Sequence, residues 1–140
     1  MIKKAISSDV KELFILESSI FSKEEFGLSL SSFYYHIKRN NLFICVEKKK
    51  IVGYILWLKR QKYFRLYSIC VDKNYRAQGI AQKLLDFSYK ILQSKKYTLE
   101  VKTTNTKAIQ LYVKNNFSIN KLLIDYYPNN TDGYLMIRKG

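Results

Sequence analysis

The sequence contains few of the residues that metal sites require. Its 140 residues include 2 cysteines, 1 histidine and 1 proline. Cys45 and Cys70 lie far apart, inside the apolar runs LFICV and YSICV. With His36 as the single histidine, they cannot form a short-spaced metal knuckle. We therefore expect no metal and predict that both cysteines are buried free thiols.

Long apolar runs and targeting signals are also lacking. No apolar stretch approaches the roughly 20 residues that span a bilayer. The N-terminal MIKKAISSDVKEL has neither an apolar core nor a small-residue cleavage site. These absences predict a cytoplasmic protein with no membrane partner and no disulfide. The absence of linkers and repeats from 140 residues predicts one domain, residues 1–140.

Acidic residues are outnumbered by basic ones. There are 25 lysines and arginines against 11 aspartates and glutamates, which gives a formal net charge of +14. The basic residues are scattered along the chain instead of forming one arm, so the charge does not require a nucleic-acid partner. The charge also suits a polyanionic ligand, and it can steer an acidic partner toward the protein. Nucleic-acid binding stays open as an alternative.

Strand patterns alternate with helix patterns along the chain. We predict strands at 2–6, 41–60 (a hairpin), 64–72, 97–101, 117–127 and 133–139, and helices at 7–21, 29–39, 78–94 and 105–116. Ser7 or Ser8 is the expected N-cap of the first helix and Asn105 that of the last. The two final strands should be antiparallel around a loop containing PNNTDG. Interleaved strands and helices with a strand-rich end predict an α/β fold on a mixed sheet.

The stretch NYRAQGIAQKLL, residues 74–85, joins a predicted strand to a predicted helix. The free N–H groups of a helix's first turn form an anion site, and Gly79 has no side chain to block a phosphate. Arg76 adds a positive charge. The motifs of Rossmann and Walker sites, G-x-G-x-x-G and G-x-x-x-x-G-K-[ST], are both absent. The residues alone leave two interpretations open, a phosphate loop and an ordinary strand-to-helix turn.

This stretch resembles the acetyl-coenzyme A signature of the GNAT superfamily of N-acetyltransferases, Arg/Gln-x-x-Gly-x-Gly/Ala, at Arg76, Gly79 and Ala81. LEVKTTNTKAIQLYVKNNF resembles the second signature of the family, a strand, an Asn and a short helix that ends in a Tyr. IDYYP followed by DG is similar to the closing strand of the ribosomal-protein-alanine N-acetyltransferase branch. The resemblance covers the chain from about Leu42 onward. It implies the GNAT fold, in which helices flank a mixed, centrally splayed sheet.

The resemblance implies that acetyl-CoA is the co-substrate and that no metal takes part. The backbone of the strand before the loop would pair with the pantetheine arm, and the loop would hold the pyrophosphate. Asn105 matches an Asn that contacts coenzyme A in the family, although it equally fits a plain helix cap. The implied cofactor-binding residues are Ile69, Cys70, Val71, Arg76, Ala77, Gln78, Gly79, Ile80, Ala81, Gln82 and Asn105.

The resemblance also implies two catalytic residues. The amine must lose a proton before it attacks the thioester, and Glu100 in YTLEV matches the general base of the branch. Tyr112 matches the acid that protonates the departing thiolate, since a phenol with a pKa of about 10 donates without prior ionisation. By itself, Glu100 also fits an outward-facing strand position, and Tyr112 also fits a core aromatic. The backbone N–H of Val71 would hold the oxyanion.

The implied function is acetyl transfer from acetyl-CoA to a primary amine, the N-terminal α-amine of a protein, with ribosomal proteins among the candidates. Such an amine, with a pKa of about 7.7–8.0, loses its proton more easily than a lysine at about 10.4. A lysine side chain, a small-molecule amine, or a non-catalytic CoA- or RNA-binding module are the alternatives.

The acceptor is the least defined part of this prediction. Arg65 and Tyr67 stand where the branch often has an acidic and a small residue. This departure leaves the cofactor motif intact and the acceptor open. We expect the acceptor pocket to draw on SIFSKEEFGLSLSSFYY, YSIC and IDYYP, without a role for any single residue.

Overall fold

The structure is a computed structural model that describes residues 1–21 and 27–140. In this part of the chain, the helices are α1 (Val10–Ile20), α2 (Leu30–Arg39), α3 (Ile80–Leu92) and α4 (Thr106–Lys114). The strands are β1 (Ile2–Lys4), β2 (Asn41–Glu47), β3 (Lys50–Lys59), β4 (Phe64–Val71), β5 (Lys96–Lys102), β6 (Ser118–Tyr127) and β7 (Thr131–Lys139). Among these described residues, no helix is both long and apolar enough to cross a membrane.

The strands form one mixed sheet in the order β1-β2-β3-β4-β5-β7-β6. β2 is antiparallel to β1 and β3, and β7 is antiparallel to β5 and β6. β4 and β5 are parallel, which requires a crossover connection, and the chain passes through α3 between them. Their ladder consists of three pairs: Phe64 with Tyr97, Arg65 with Thr98, and Leu66 with Leu99. The predicted α/β fold on a mixed sheet is confirmed.

The backbone divides into two compact units. Unit 1 comprises Met1–Lys59 and Tyr67–Leu92, and unit 2 comprises Arg60–Leu66 and Gln93–Gly140. The division falls inside β4, so that its first three residues belong to unit 2 and the others to unit 1.

Unit 1 buries β2 and β3 on both faces. One face carries an apolar cluster with α1 and α2 that includes Leu42, Leu56 and Phe33. On the other face α3 packs, where the Trp57 indole N–H donates to Ser88 Oγ at 2.8 Å. This bond explains why a serine occupies the apolar stripe of α3. Ile80, Leu84 and Leu85 of this stripe are also buried, whereas Ile91 near its end is 54% exposed.

Two local predictions are wrong at the ends of elements. Neither Ser7 nor Ser8 caps the first helix, because both lie in a 3-10 turn whose last residue, Asp9, accepts the Ile6 N–H at 2.8 Å. An ionised carboxylate accepts a hydrogen bond more strongly than a hydroxyl does. The last loop is also shorter than predicted, since β7 already begins at Thr131. By contrast, the cap at Asn105 is confirmed.

Unit 1 contains a buried carboxylate that no pattern in the sequence indicated. Glu17 on α1 is 3% exposed. Its carboxylate accepts the Tyr54 hydroxyl and, at 3.1 Å, the Leu28 N–H. The Tyr54 oxygen also lies 2.8 Å from Ser68 Oγ. Desolvation raises the pKa of Glu17 above its ordinary 4.5, and the two hydrogen bonds oppose the rise without cancelling it.

We expect Glu17→Gln to remove part of the pH dependence of stability. Because folding raises the pKa of Glu17, the folded state binds the carboxyl proton more tightly than the unfolded state does. The stabilisation that this proton gives the folded state is lost as pH rises from 4.5 through the folded-state pKa. The amide carries no charge to desolvate. As pH rises through this interval, the unfolding free energy of the variant should therefore increase relative to that of the unsubstituted protein.

Urea unfolding of both proteins between about pH 4 and pH 8 measures the difference, in which the other titrating groups cancel. A difference that stays constant with pH would contradict the assignment.

Candidate active site

The loop between β4 and α3 is held by hydrogen bonds around Asp72. Its carboxylate accepts the Asn74 N–H at 2.9 Å, and its carbonyl accepts the Tyr75 N–H at 2.9 Å. The Asp72 N–H donates to the Val52 carbonyl at 2.8 Å, and Lys50 pairs with the carboxylate at 3.2 Å. The Asn74 N–H contributes most to lowering the pKa of Asp72, and Lys50 adds to it. The start of the loop is thus anchored to β3.

The second half of the loop turns through two left-handed residues, Ala77 at φ 63° and Gly79 at φ 75°. A Cβ at Gly79 would have no heavy atom of the described residues within 4 Å. The Gly79 carbonyl accepts the Lys83 N–H at 3.0 Å, so the helical hydrogen bonds start here. The N–H groups of the first turn have no acceptor within α3. This geometry, with open space at the glycine, suits an anion.

Ten of the eleven implied cofactor residues lie in unit 1. They form one run along the chain through the end of β4, the loop and the first turn of α3. Cys70 is buried, and burial raises the pKa of its thiol to about 12. This thiol is therefore a neutral core group, and Cys45 is also buried and free, as predicted. The eleventh residue, Asn105, lies in unit 2, where its Oδ1 accepts the Ala108 N–H at 3.3 Å.

Glu100 lies on β5 in unit 2 and is held by two neighbours. The Arg65 guanidinium on β4 forms an ion pair with its Oε1 at 2.5 Å. The Tyr126 hydroxyl donates to the same oxygen at 3.3 Å. The Glu100 side chain is 13% exposed, so it is largely shielded from water by these contacts.

Tyr112 lies on α4 in unit 2 and is buried, 7% exposed, with its ring edge-on to Phe117 at 5.9 Å. Burial, together with the nearby Tyr127, raises the pKa of the Tyr112 hydroxyl to about 12. The phenol therefore keeps its proton at neutral pH. Its ring is a core aromatic, and its hydroxyl remains able to donate.

Tyr126 and Tyr127 are neighbours of both candidate catalytic residues. Their rings meet edge-on at 5.0 Å. Burial raises the pKa of Tyr127 to about 12, and Tyr126 and Glu100 add to this rise. The pKa of Tyr126 is also raised, first by burial and then by Glu100. The sequence indicated IDYYP as part of an acceptor pocket, without a role for either tyrosine.

A bulge in β6 directs Tyr126 toward Glu100. The pairing of β6 with β7 shifts between Leu123 and Tyr127. Within the bulge Asp125 adopts φ 53°, and its N–H donates to the Asp132 carboxylate at 2.8 Å. Bulges next to functional sites commonly re-aim a side chain.

Glu100 and Tyr126 line an open pocket of about 440 Å³ in unit 2. The rest of its wall consists of three cations, apolar residues of β6 and β7, and two further polar side chains. The cations are Arg60, Arg65 and Lys96, and the polar side chains are Tyr63 and Thr98. Of the stretches expected to build an acceptor pocket, IDYYP contributes Tyr126 here. YSIC contributes no lining residue, and residues 22–26 of the first stretch lie outside the described residues.

The sequence model of the acetyltransferase (GNAT) family matches residues 8–117. An N-alpha-acetyltransferase of Saccharolobus solfataricus is 35% identical over 126 residues, which cover 76% of this chain and 74% of the relative. These matches confirm the resemblance to this family.

Solved structures share the fold at low identity. The ribosomal-protein-S18-alanine N-acetyltransferase from Escherichia coli superposes with a TM-score of 0.90 at 23% identity, covering 99% of this chain and 92% of that chain. A chain of the NatC complex bound to Gag peptide and CoA superposes with a TM-score of 0.83 at 20% identity. The match covers 100% of this chain and 98% of that chain.

Gly79→Val is expected to weaken acetyl-CoA binding by about tenfold or more, because the methyl groups of the valine would occupy the open space at the loop. Left-handed backbone disfavours a β-branched residue, so the unfolding free energy should fall by about 1–2 kcal/mol. Calorimetric titration with acetyl-CoA measures the affinity, and chemical unfolding checks the fold.

Asn129→Val is the matched control, because it also places valine at a residue with left-handed backbone. Asn129 also has a positive φ, 64°, but lies in the turn between β6 and β7. The control should bind acetyl-CoA normally, whereas normal binding by Gly79→Val would show that the loop does not hold phosphate.

Gly133→Ala is expected to lower kcat by about 10- to 100-fold with little change in acetyl-CoA affinity. A Cβ at Gly133 would lie 2.8 Å from Tyr127 Cε2, so the ring must move. Small displacements of groups beside reacting atoms cost this much in rate. Steady-state kinetics and calorimetry separate the two effects. An unchanged kcat would show that the tyrosine pair does not position the catalytic groups.

Proposed function

Because the chain belongs to the acetyltransferase (GNAT) family, whose co-substrate is acetyl-CoA, we propose that it acetylates the N-terminal α-amine of a protein. The observation that carries the proposal is the shielded carboxylate of Glu100, held by Arg65 and Tyr126 at the wall of an open pocket. The similarity to an N-alpha-acetyltransferase supports the acceptor class. A ribosomal protein is one candidate, by analogy with the E. coli neighbour.

In this proposal residues 1–140 act as a single acetyltransferase domain. The backbone of Ile69, Cys70 and Val71 pairs with the pantetheine arm. The loop from Arg76 to Gln82 holds the pyrophosphate, and Asn105 contacts coenzyme A. The two left-handed residues and the open space at Gly79 support the phosphate role.

The proposed chemistry is direct transfer. Glu100 takes a proton from the ammonium of the acceptor, and the amine nitrogen then attacks the thioester carbonyl. The Val71 N–H stabilises the oxyanion. The attack forms the C–N bond, and collapse of the tetrahedral intermediate then breaks the C–S bond. Tyr112 gives its proton to the departing sulfur, and the resulting phenolate takes back the extra proton that the attacking nitrogen still carries. Because the pKa of Tyr112 is raised to about 12, the phenol is still protonated when the C–S bond breaks.

The acceptor class is tested by mass spectrometry on three amines with acetyl-CoA: a peptide with a free N-terminus and no lysine, an N-terminally blocked peptide with one lysine, and a small polyamine. Acetylation of the first supports the proposal. Preference for the second or third would replace it with an alternative acceptor. Acetyl-CoA binding without any transfer would favour a non-catalytic module, and steeply salt-dependent RNA binding would favour the RNA alternative.

Glu100→Gln should lower kcat by about 10²-fold or more while acetyl-CoA affinity is kept, since the amide cannot accept the proton. Tyr112→Phe should also lower kcat, because the buried ring remains and only the proton donor is lost. Glu47→Gln makes the same chemical change at the end of β2 and serves as the control. If Glu100→Gln turns over as fast as this control, Glu100 is not the base.

A further inference from the structure

The open pocket of unit 2 has an excess of positive charge. Three cations, Arg60, Arg65 and Lys96, line it beside one carboxylate, Glu100. Lys96, Thr98 and Glu100 alternate along β5 and so share one face of the strand. Arg65 is the partner of Thr98 in the parallel ladder. The cations therefore lie along the direction from Glu100 toward the start of β5.

The length of this cationic row matches a short segment of polypeptide. Lys96 and Glu100 are four positions apart on β5, which corresponds to about 13 Å along the strand. An extended peptide covers this distance in about four residues. An acceptor whose amine lies at Glu100 would thus bring its second to fourth residues past Arg65 and Lys96.

One cation of this row is held in place for a carboxylate of the acceptor. Lys96 Nζ lies over the ring of Tyr63 at 5.3 Å, which keeps the ammonium at the pocket wall.

We propose that this pocket selects acceptor polypeptides with aspartate or glutamate among the residues that follow the acetylated amine. This inference rests on the proposed function, because it places the acceptor amine at Glu100. An acceptor with basic residues at these positions would bring like charges against the three cations, which disfavours it. The net charge of +14 favours the encounter with an acidic polypeptide in the same way. The apolar wall from Leu135 and Ile137 suits a peptide better than a nucleic-acid backbone.

Three peptides that differ only at residues 2–4, with Asp, Asn or Lys in all three places, test the proposal. The ratio of kcat/KM for the Asp peptide to that for the Asn peptide should be about tenfold or more, the gain expected of charge-assisted hydrogen bonds. The Lys peptide should be the poorest. The preference should shrink as salt is added, since screening weakens charge interactions at an open pocket.

Lys96→Gln and Arg60→Gln should each lower the Asp-to-Asn ratio several-fold. Lys114→Gln is the matched control, because it removes the same charge from an exposed position at the end of α4. The control should keep the ratio, and unfolding curves check that all three variants are folded.

Equal rates for the Asp and Asn peptides, or preference for the Lys peptide, would overturn the inference and leave the proposed function standing. The inference would also be overturned if the control variant lost the Asp preference as much as the pocket variants do. Competition by a short RNA that is stronger than that by an Asp-rich peptide would assign the pocket to nucleic acid instead. If no peptide is acetylated at its N-terminus, the proposed function itself fails, and the inference with it.

Discussion

The ion pair between Arg65 and Glu100 is the interaction on which the arrangement of unit 2 depends. It joins two strands at the three-residue parallel ladder. A charged side chain on a largely buried strand requires a partner, because desolvation of a lone carboxylate is costly. The pair also depends on register. A slip of one residue would turn Glu100 inward and bring its apolar neighbours, Leu99 and Val101, to the pocket face.

The loop before α3 depends on a different constraint, which is that its backbone N–H groups must face the proposed phosphate. Asp72 anchors the start of the loop through bonds to its own turn and to β3. The two left-handed residues then turn the chain so that it enters the helix at Gly79. Ala77 adopts this conformation at some steric cost, which the anchoring at Asp72 offsets. Side-chain identity matters at few of these positions, because the backbone makes the proposed contacts.

The tyrosines of β6 interact with both candidate catalytic residues, although they lie far from them in the sequence. The bulge at Asp125 places Tyr126 against Glu100, and Tyr127 neighbours Tyr112. Gly133 on β7 leaves room for both rings. Of these tyrosines Tyr126 lines the pocket, where its hydroxyl is a neutral donor next to the charged side chains.

The sequence by itself determined the order and type of the elements, the Asn105 cap, the two buried thiols and the family, because each of these depends on local pattern or on motifs within one stretch. It also pointed to Glu100 and Tyr112 through those motifs. Only the tertiary structure decided that Glu17 is buried, that Arg65 pairs with Glu100, and that Tyr126 reaches the same carboxylate. Those contacts join residues 26 to 37 positions apart. They follow from the packing of a helix on the sheet, from strand register and from a bulge, none of which local propensity specifies.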